Sequence, residues 1–274
     1  MRKHKKNTFF YNFINSVITI FNKENIVAKK IKQRDFFLKY QPICNSKGKL
    51  VGVEALIRWG NENTLPITPS LLIEQAIKSK TIIPLTRHII QLIHEDFSLL
   101  SSNQKFYISL NIELDHINDK EFVSDMIFLK NKLSENHELV VELSERSFIE
   151  NQESIILKLN ELRSMGIRIA LDDFGSGFSA LANLDVIPLD IVKLDTAFIN
   201  KQPENTKTSI LIKSIHHMCK SLGFEIIAEG VSSEEKLNFL TNHGIVNTQG
   251  YHHSKPLKIK ELYEYIECKE NTRL

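Results

Sequence analysis

Short apolar runs that each end in one polar side chain recur along this chain, and no other feature restricts its fold as strongly. Leu50-Val51-Gly52-Val53 ends at Glu54, and Phe106-Tyr107-Ile108-Ser109-Leu110 ends at Asn111. Leu139-Val140-Val141 ends at Glu142, with Glu145 close behind, and Arg168-Ile169-Ala170-Leu171 ends at the pair Asp172-Asp173. Ile191-Val192 ends at Lys193, Glu225-Ile226-Ile227-Ala228 at Glu229, and Asn247-Thr248 at Gln249. From Asn111 onward these ends lie 31, 30, 21, 36 and 20 residues apart, about the length of one strand, one helix and their turns.

The stretches between the runs have helical periodicity, with Ile155, Leu159 and Leu162 in one and Leu211, Ile215, Met218 and Leu222 in another. The gap of 57 residues between Glu54 and Asn111 holds two helical patterns, Ser70 to Ser79 and Thr81 to Leu100. Ser232…Glu235, Asn118…Glu121 and Thr68-Pro69 read as helix starts, and Gly166, Gly223 and Gly244 as helix stops. Strands alternating with helices predict either a closed parallel barrel or an open doubly wound sheet. A barrel delivers the last residue of every strand to one rim, whereas an open sheet concentrates its chemistry at one switch point, often with a glycine-rich phosphate loop. This chain has neither GxGxxG nor GxxxxGK[ST]. A TIM-type α/β barrel is therefore expected.

Two acids side by side at the end of a buried strand are costly unless positive charge sits between them. Glu54, Asn111, Glu142, Asp172 and Asp173 are hard oxygen donors suited to Mg²⁺ or Mn²⁺, and no histidine stands at these strand ends to suggest zinc. Five such donors exceed what one magnesium takes from protein, so two ions sharing an aspartate are expected. Two ions roughly 3.5–4 Å apart can clamp a phosphodiester and activate a water. Lys193 could orient or deprotonate that water, or neutralise charge in the transition state. A carboxylate pair acting on a sugar would leave Asn111, Lys193 and the second aspartate idle.

Charge divides the chain. Residues 1–34 carry nine Lys/Arg and one acid, whereas the remainder carries 26 Lys/Arg and 32 acids. The acidic body is not expected to bind DNA or RNA, and it needs metal before it accepts an anionic substrate at its rim. The segment Thr8 to Phe21, interrupted by Asn12 and Asn15, is too short and polar for a membrane span and lacks a signal-peptide cleavage pattern. Two readings of residues 1–22 stay open: an amphipathic segment on an anionic membrane surface, or a helix packed on the barrel or a partner. Cys44, Cys219 and Cys268 are odd in number and lack metal spacing, which favours a reducing compartment. A cytoplasmic location is expected, with contact to the inner membrane face through the basic segment as its variant.

Glu54-Ala55-Leu56-Ile57-Arg58-Trp59 resembles the signature of the EAL-domain phosphodiesterases, which hydrolyse cyclic di-GMP to linear pGpG. The resemblance runs from about Phe36 to about Ile266. It includes Tyr40-Gln41-Pro42-Ile43, Ser109-Leu110-Asn111, Val141-Glu142-Leu143-Ser144-Glu145 and Asp172-Asp173-Phe174-Gly175. Val192-Lys193-Leu194-Asp195, Ala228-Glu229-Gly230-Val231 and Gln249-Gly250-Tyr251…Pro256 complete it. It implies a modified (β/α)8 barrel with one antiparallel strand over residues 35–270, behind a basic extension of residues 1–34, and a homodimer. It also implies roles. Glu54, Asn111, Glu142 and Asp172 resemble the ligands of one metal, and Asp172, Asp173 and Glu229 the surroundings of the second. Lys193 resembles the residue that touches the attacking water, and Glu145 the acid that holds the loop after Asp173. Gln41, Leu56, Arg58, Asp195 and Gln249 resemble substrate contacts, Arg58 through its planar donor fork.

The chain departs from the family pattern at Ser176, Phe178 and Ala180, where Thr, Tyr and Ser are usual, at Ser144, and at His252-His253 after Tyr251. No cyclase half is recognisable, so the resemblance implies breakdown of the nucleotide rather than its synthesis. A catalytically silent receptor for cyclic di-GMP or a protein-interaction module is the alternative, and such domains usually lack rim ligands that are all present here.

Overall fold

Strands β1 (Phe36–Asn45) and β2 (Leu50–Trp59) form an antiparallel hairpin, and every later strand runs parallel to β2. These are β3 (Phe106–Asn111), β4 (His137–Ser144), β5 (Arg168–Phe174), β6 (Ile191–Leu194), β7 (Glu225–Ala228) and β8 (Asn247–Gln249). They pair in chain order, and β1 closes the barrel antiparallel to β8, with Ile43 opposite Gln249. The computed structural model describes residues 35–60, 68–98, 104–145, 152–175, 184–199 and 206–271. The basic extension, the loop carrying Ser176, Phe178 and Ala180, and Leu100 lie outside the described residues.

Side chains alternate across each strand, so every second residue points into the barrel. Ile43, Tyr107, Val140, Ala170, Ile191 and Ile227 pack together there as an apolar belt. Two positions further toward the mouth stand Gln41, Glu142, Asp172, Lys193 and Glu229. Two positions below Ala170 and Ile227 stand Arg168 and Glu225 at the opposite end. The belt thus separates two polar layers.

The outward residues of the strands pack under the helices, and each helix follows from its apolar stripe. Helix α1 (Pro69–Lys78) starts as expected, with Thr68 Oγ1 accepting from the Leu71 amide at 3.3 Å and Pro69 in the first turn. Helix α2 (Ile82–Phe97) buries Ile82, Leu85, Ile89, Ile93 and Phe97. Helices α3 (Leu114–Asn118) and α4 (Phe122–Lys132) precede β4, and α5 (Gln152–Ser164) buries the expected Ile155, Leu159 and Leu162. After β6 come the short α6 (Thr196–Ile199) and the long α7 (Thr206–Leu222), then α8 (Glu234–Asn242) and α9 (Ile259–Asn271). The three helix-stop glycines all take positive φ.

Four details differ from the sequence reading. The cap of α8 is Ser233, which accepts from the Lys236 amide at 3.3 Å; this places both Glu234 and Glu235 in the first turn, where their charge complements the helix dipole. Asn118 closes α3 rather than opening α4, and Asp119 Oδ1 instead takes the Glu121 amide at 3.0 Å. Helix α7 buries Thr208, Ile212, Ile215 and Cys219, while Leu211 and Leu222 are exposed. The buried stripe begins at Thr208, which a count of apolar residues passes over, and this turned the expected face by about one residue. Finally, β5 does not stop at the acid pair but runs on to Phe174, with a register shift between Leu171 and Phe174. Among the described residues no helix is long and apolar enough to cross a membrane. Cys44 and Cys219 are buried and Cys268 is exposed.

Candidate active site

All eight strands send one polar side chain to the same mouth of the barrel, and hydrogen bonds and ion pairs join them into a ring. From β1, Gln41 Oε1 accepts from Gln249 Nε2 of β8 at 3.3 Å. The same Gln249 nitrogen donates to Glu54 Oε2 of β2 at 2.6 Å, and Asn111 Nδ2 of β3 donates to Glu54 Oε1 at 2.8 Å. Lys193 of β6 stands in the middle. Its Nζ lies 2.7 Å from Glu142 Oε2 of β4, 2.7 Å from Glu229 Oε1 after β7, 3.1 Å from Asp172 Oδ1 of β5 and 3.3 Å from Glu54 Oε2.

One ammonium thus faces four carboxylates; Lys193 and Glu142 are each 1% exposed, while Asp172 and Glu229 are half-buried. Burying a charge that is not fully paired is unfavourable, so protons or further cations must make up the difference. The protonation preferences show where. Burial disfavours the charged Lys193, but Asp172, Glu142, Glu229 and Glu54 overcome it and hold the ammonium well above its ordinary range. Burial pushes Glu54 up, yet Lys193, Gln249 and Asn111 together outweigh it and keep that carboxylate charged. Glu142 has fewer donors, so burial and the neighbouring Glu54 charge raise it well above normal. Burial lifts Glu229 to about 7 against the pull of Lys193. Asp173 rises to about 6 through burial and the charges of Asp172 and Asp195.

One carboxylate oxygen each from Asp172, Asp173 and Glu229 lie within 4.8 Å of one another. Asp172 Oδ1 is buried, with the Lys193 ammonium 3.1 Å away and no geometric hydrogen bond to it. A hard oxygen without a hydrogen-bond donor aligned on it, beside two raised carboxyl groups, is a donor set that fits a divalent cation, which would take the place of the protons. Asn111 commits its amide nitrogen to Glu54, which leaves its carbonyl oxygen for such an ion. Asp173 adopts φ 55, in the left-handed region, so that consecutive acids in one strand turn toward neighbouring positions instead of opposite faces.

The remaining sequence-expected residues surround the ring. Glu145 Oε1 accepts from the Gly175 amide at 2.9 Å, tying the end of β4 to the end of β5. Asp195 Oδ1 accepts from the Ala197 amide at 2.6 Å and opens α6. Leu56 and Arg58 stand further out along β2, both half-buried, and the Arg58 guanidinium turns back to the Ile57 carbonyl at 2.8 Å. His253 donates or accepts at Thr248 Oγ1 at 2.7 Å behind the Gln249 turn, and His252 is exposed. The sequence reading missed α6, whose contacts bridge the loops of the acidic triad. No charge or spacing in Thr196-Ala197-Phe198-Ile199 announces that role.

Comparison with known proteins agrees with this geometry. Residues 24–256 match the model of the family described as EAL domain. The probable cyclic di-GMP phosphodiesterase PdeN of Escherichia coli K12 is 34% identical over 246 residues, covering 88% of this chain and 47% of that protein. The cyclic di-GMP phosphodiesterase PdeR of the same organism is 29% identical over 233 residues, covering 84% and 35%. This chain therefore spans half or less of the length of these relatives. Among solved structures, the EAL enzyme Bd1971 in its cAMP and cyclic-di-GMP bound form superposes with TM-score 0.82 at 31% identity, covering 93% of this chain and 71% of that one. The PaMucR phosphodiesterase in complex with c-di-GMP gives TM-score 0.78 at 26% identity, covering 86% and 97%.

Proposed function

The chain belongs to the EAL domain family of cyclic di-GMP phosphodiesterases, and from that premise we propose that it hydrolyses cyclic di-GMP to linear pGpG with divalent cations held by the carboxylate ring. The observation that carries this reading is the charge imbalance of the ring, four buried or half-buried carboxylates around one ammonium. In this proposal Glu54, Asn111, Glu142 and Asp172 hold one Mg²⁺ or Mn²⁺, and Asp172, Asp173 and Glu229 hold a second. Bound cations supply a water acidic enough to ionise near neutral pH and offset the charge of a phosphodiester.

The chain's own residues do the rest. Lys193, kept protonated by its neighbours, orients the water and offsets phosphate charge, which favours those two roles over deprotonation of the water. Gln249, held between Gln41 and Glu54, offers its carbonyl oxygen to the nucleotide; that atom is buried and without a partner among the described residues. Gln41, Leu56, Arg58 and Asp195 line the nucleotide's path, Arg58 at a phosphate. Glu145 fixes the end of β5 through Gly175. Residues 35–270 form the catalytic barrel, which pairs into a homodimer, while residues 1–34 form a basic extension able to meet an anionic membrane surface at the cytoplasmic face.

Purified protein given cyclic di-GMP with Mg²⁺ or Mn²⁺, products separated by chromatography, tests the reading. Release of pGpG that disappears with chelator and in Glu54→Ala supports it. Bound but intact nucleotide would replace it with a receptor, and neither binding nor turnover with a protein-interaction module.

A further inference from the structure

The loops that carry the acidic triad are locked to one another by a small wedge, helix α6. The Phe198 ring of α6 lies directly on Gly175, next after β5, so closely that a Cβ at Gly175 would overlap ring carbons. At the other end of α6, Thr196 lies on Gly230, where an added Cβ would sit 2.5 Å from Thr196 Cγ2. Gly175 follows Asp172 and Asp173 by three and two positions, and Gly230 follows Glu229 directly. Both glycines have φ in the left-handed region, 91 and 67, so bare backbone is required there on two counts. The wedge is tied down at its root. The Asp195 amide donates to the Phe174 carbonyl at 3.3 Å, the Phe198 amide to the Asp195 carbonyl at 3.1 Å, and the Glu229 amide to the Leu194 carbonyl at 3.1 Å.

We infer that Phe198 is a positioning residue for the cation site: packed on Gly175, it sets the distance between the Asp172-Asp173 pair and Glu229, and hence how well the three oxygens receive an ion. The inference rests on the proposed metal role of that triad. Three acidic side chains from the ends of two strands converge there, and like charges drift apart unless their backbones are fixed. Glu145 anchors Gly175 from the β4 side, and Phe198 is the corresponding weight from the β6 side. Thr196 extends the lock to β7. Groups that orient metal ligands without touching the ion typically contribute about 10–100-fold to affinity.

The test is Mn²⁺ binding followed by electron paramagnetic resonance of the free ion, on wild type, Phe198→Ala, Phe198→Leu and Gly175→Ala, each with its thermal melt. The expected result is Mn²⁺ affinity weakened about tenfold in Phe198→Ala, with most of it restored in Phe198→Leu, which refills the contact. Gly175→Ala, which pushes the ring off its seat from the other side, is expected to weaken affinity at least as much. Wild-type affinity in folded Phe198→Ala and Gly175→Ala would overturn the wedge while leaving the metal site standing. A loss in Phe198→Leu equal to that in Phe198→Ala would also overturn it, because packing would then not be the cause. No Mn²⁺ binding by wild type would overturn the metal reading itself and the wedge with it. Should Phe198→Ala fail to fold, the comparison of Phe198→Leu with Gly175→Ala decides.

Discussion

The two mouths of this barrel hold similar ingredients and balance them differently. At one mouth Lys193 faces Glu54, Glu142, Asp172 and Glu229. At the other, Arg168 of β5 pairs with Glu225 of β7 and stands 3.8 Å from Glu138 of β4, while Asn247 Nδ2 gives Glu225 a further hydrogen bond at 2.6 Å. Arg168 and Glu225 are 28% and 29% exposed, against 1% for Lys193 and Glu142. Solvent screens the second cluster, and one guanidinium there faces two carboxylates rather than four. Its guanidinium stays charged: burial disfavours that, but Glu225 more than compensates. The first cluster is more deeply buried at its centre and short of positive charge, so Glu142 and Glu229 are pushed toward their protonated forms. A buried polar cluster that is satisfied reads as structure, and one that is short of cations reads as a site prepared to receive them.

That contrast can be broken most decisively at the ring. Asp172→Ala is expected to cut turnover about a thousandfold or more, because it removes a charged ligand from a preorganised cluster. The same change leaves the melting temperature of metal-free protein unchanged or raised, since it relieves repulsion. Steady-state kinetics beside a thermal melt checks both parts, and a large fall in stability would mean that the ring holds the fold together. Glu54→Ala is expected to lose turnover to the same extent but to lower stability, because it strands the donors Gln249 and Asn111.

Arg168→Met should do the reverse. It leaves Glu225 without its cation at a partly solvated site, so a loss of about 1–2 kcal/mol is expected in urea unfolding, after discounting for exposure. Turnover stays at the wild-type level. Activity lost without stability would show that the belt couples the two mouths.

A smaller effect concerns pH at the same end of the barrel. His137, at the start of β4, is buried against Phe106 with a ring distance of 4.3 Å, and burial lowers it to about 4. Between the ordinary histidine value of about 6.5 and 4 the unfolded chain takes a proton that the folded chain refuses. Stability from this residue is therefore complete above about pH 6.5, falls as pH drops through that window, and levels off below about 4. Unfolding of His137→Gln measured at pH 7 and pH 5 should show a shallower loss than wild type. An identical slope would assign the acid limb to other groups.

The ring was readable in the sequence because inward strand residues that end apolar runs have one physical reason to be polar, and seven strands repeat it. β1 was invisible to that logic. It carries Pro42, runs in the opposite direction, and so brings Gln41 to the mouth from its middle rather than from its end; only the family resemblance pointed to it. The opposite cluster escaped because Arg168, Glu225 and Asn247 stand at strand starts, where a charge normally meets solvent. The phase of α7 turned on Thr208, whose burial depends on its neighbours rather than its type. Phe198 reads as one more apolar residue, and its role depends on Gly175 lying beneath it, which no spacing announces.

Anomalous diffraction from crystals of the chain soaked in Mn²⁺ tests the central claim most directly. The account requires anomalous density at the mouth, within coordination distance of Asp172, Asp173 and Glu229, and none beside Arg168 and Glu225. An empty mouth at millimolar Mn²⁺, with Lys193 still pairing all four carboxylates, would contradict it.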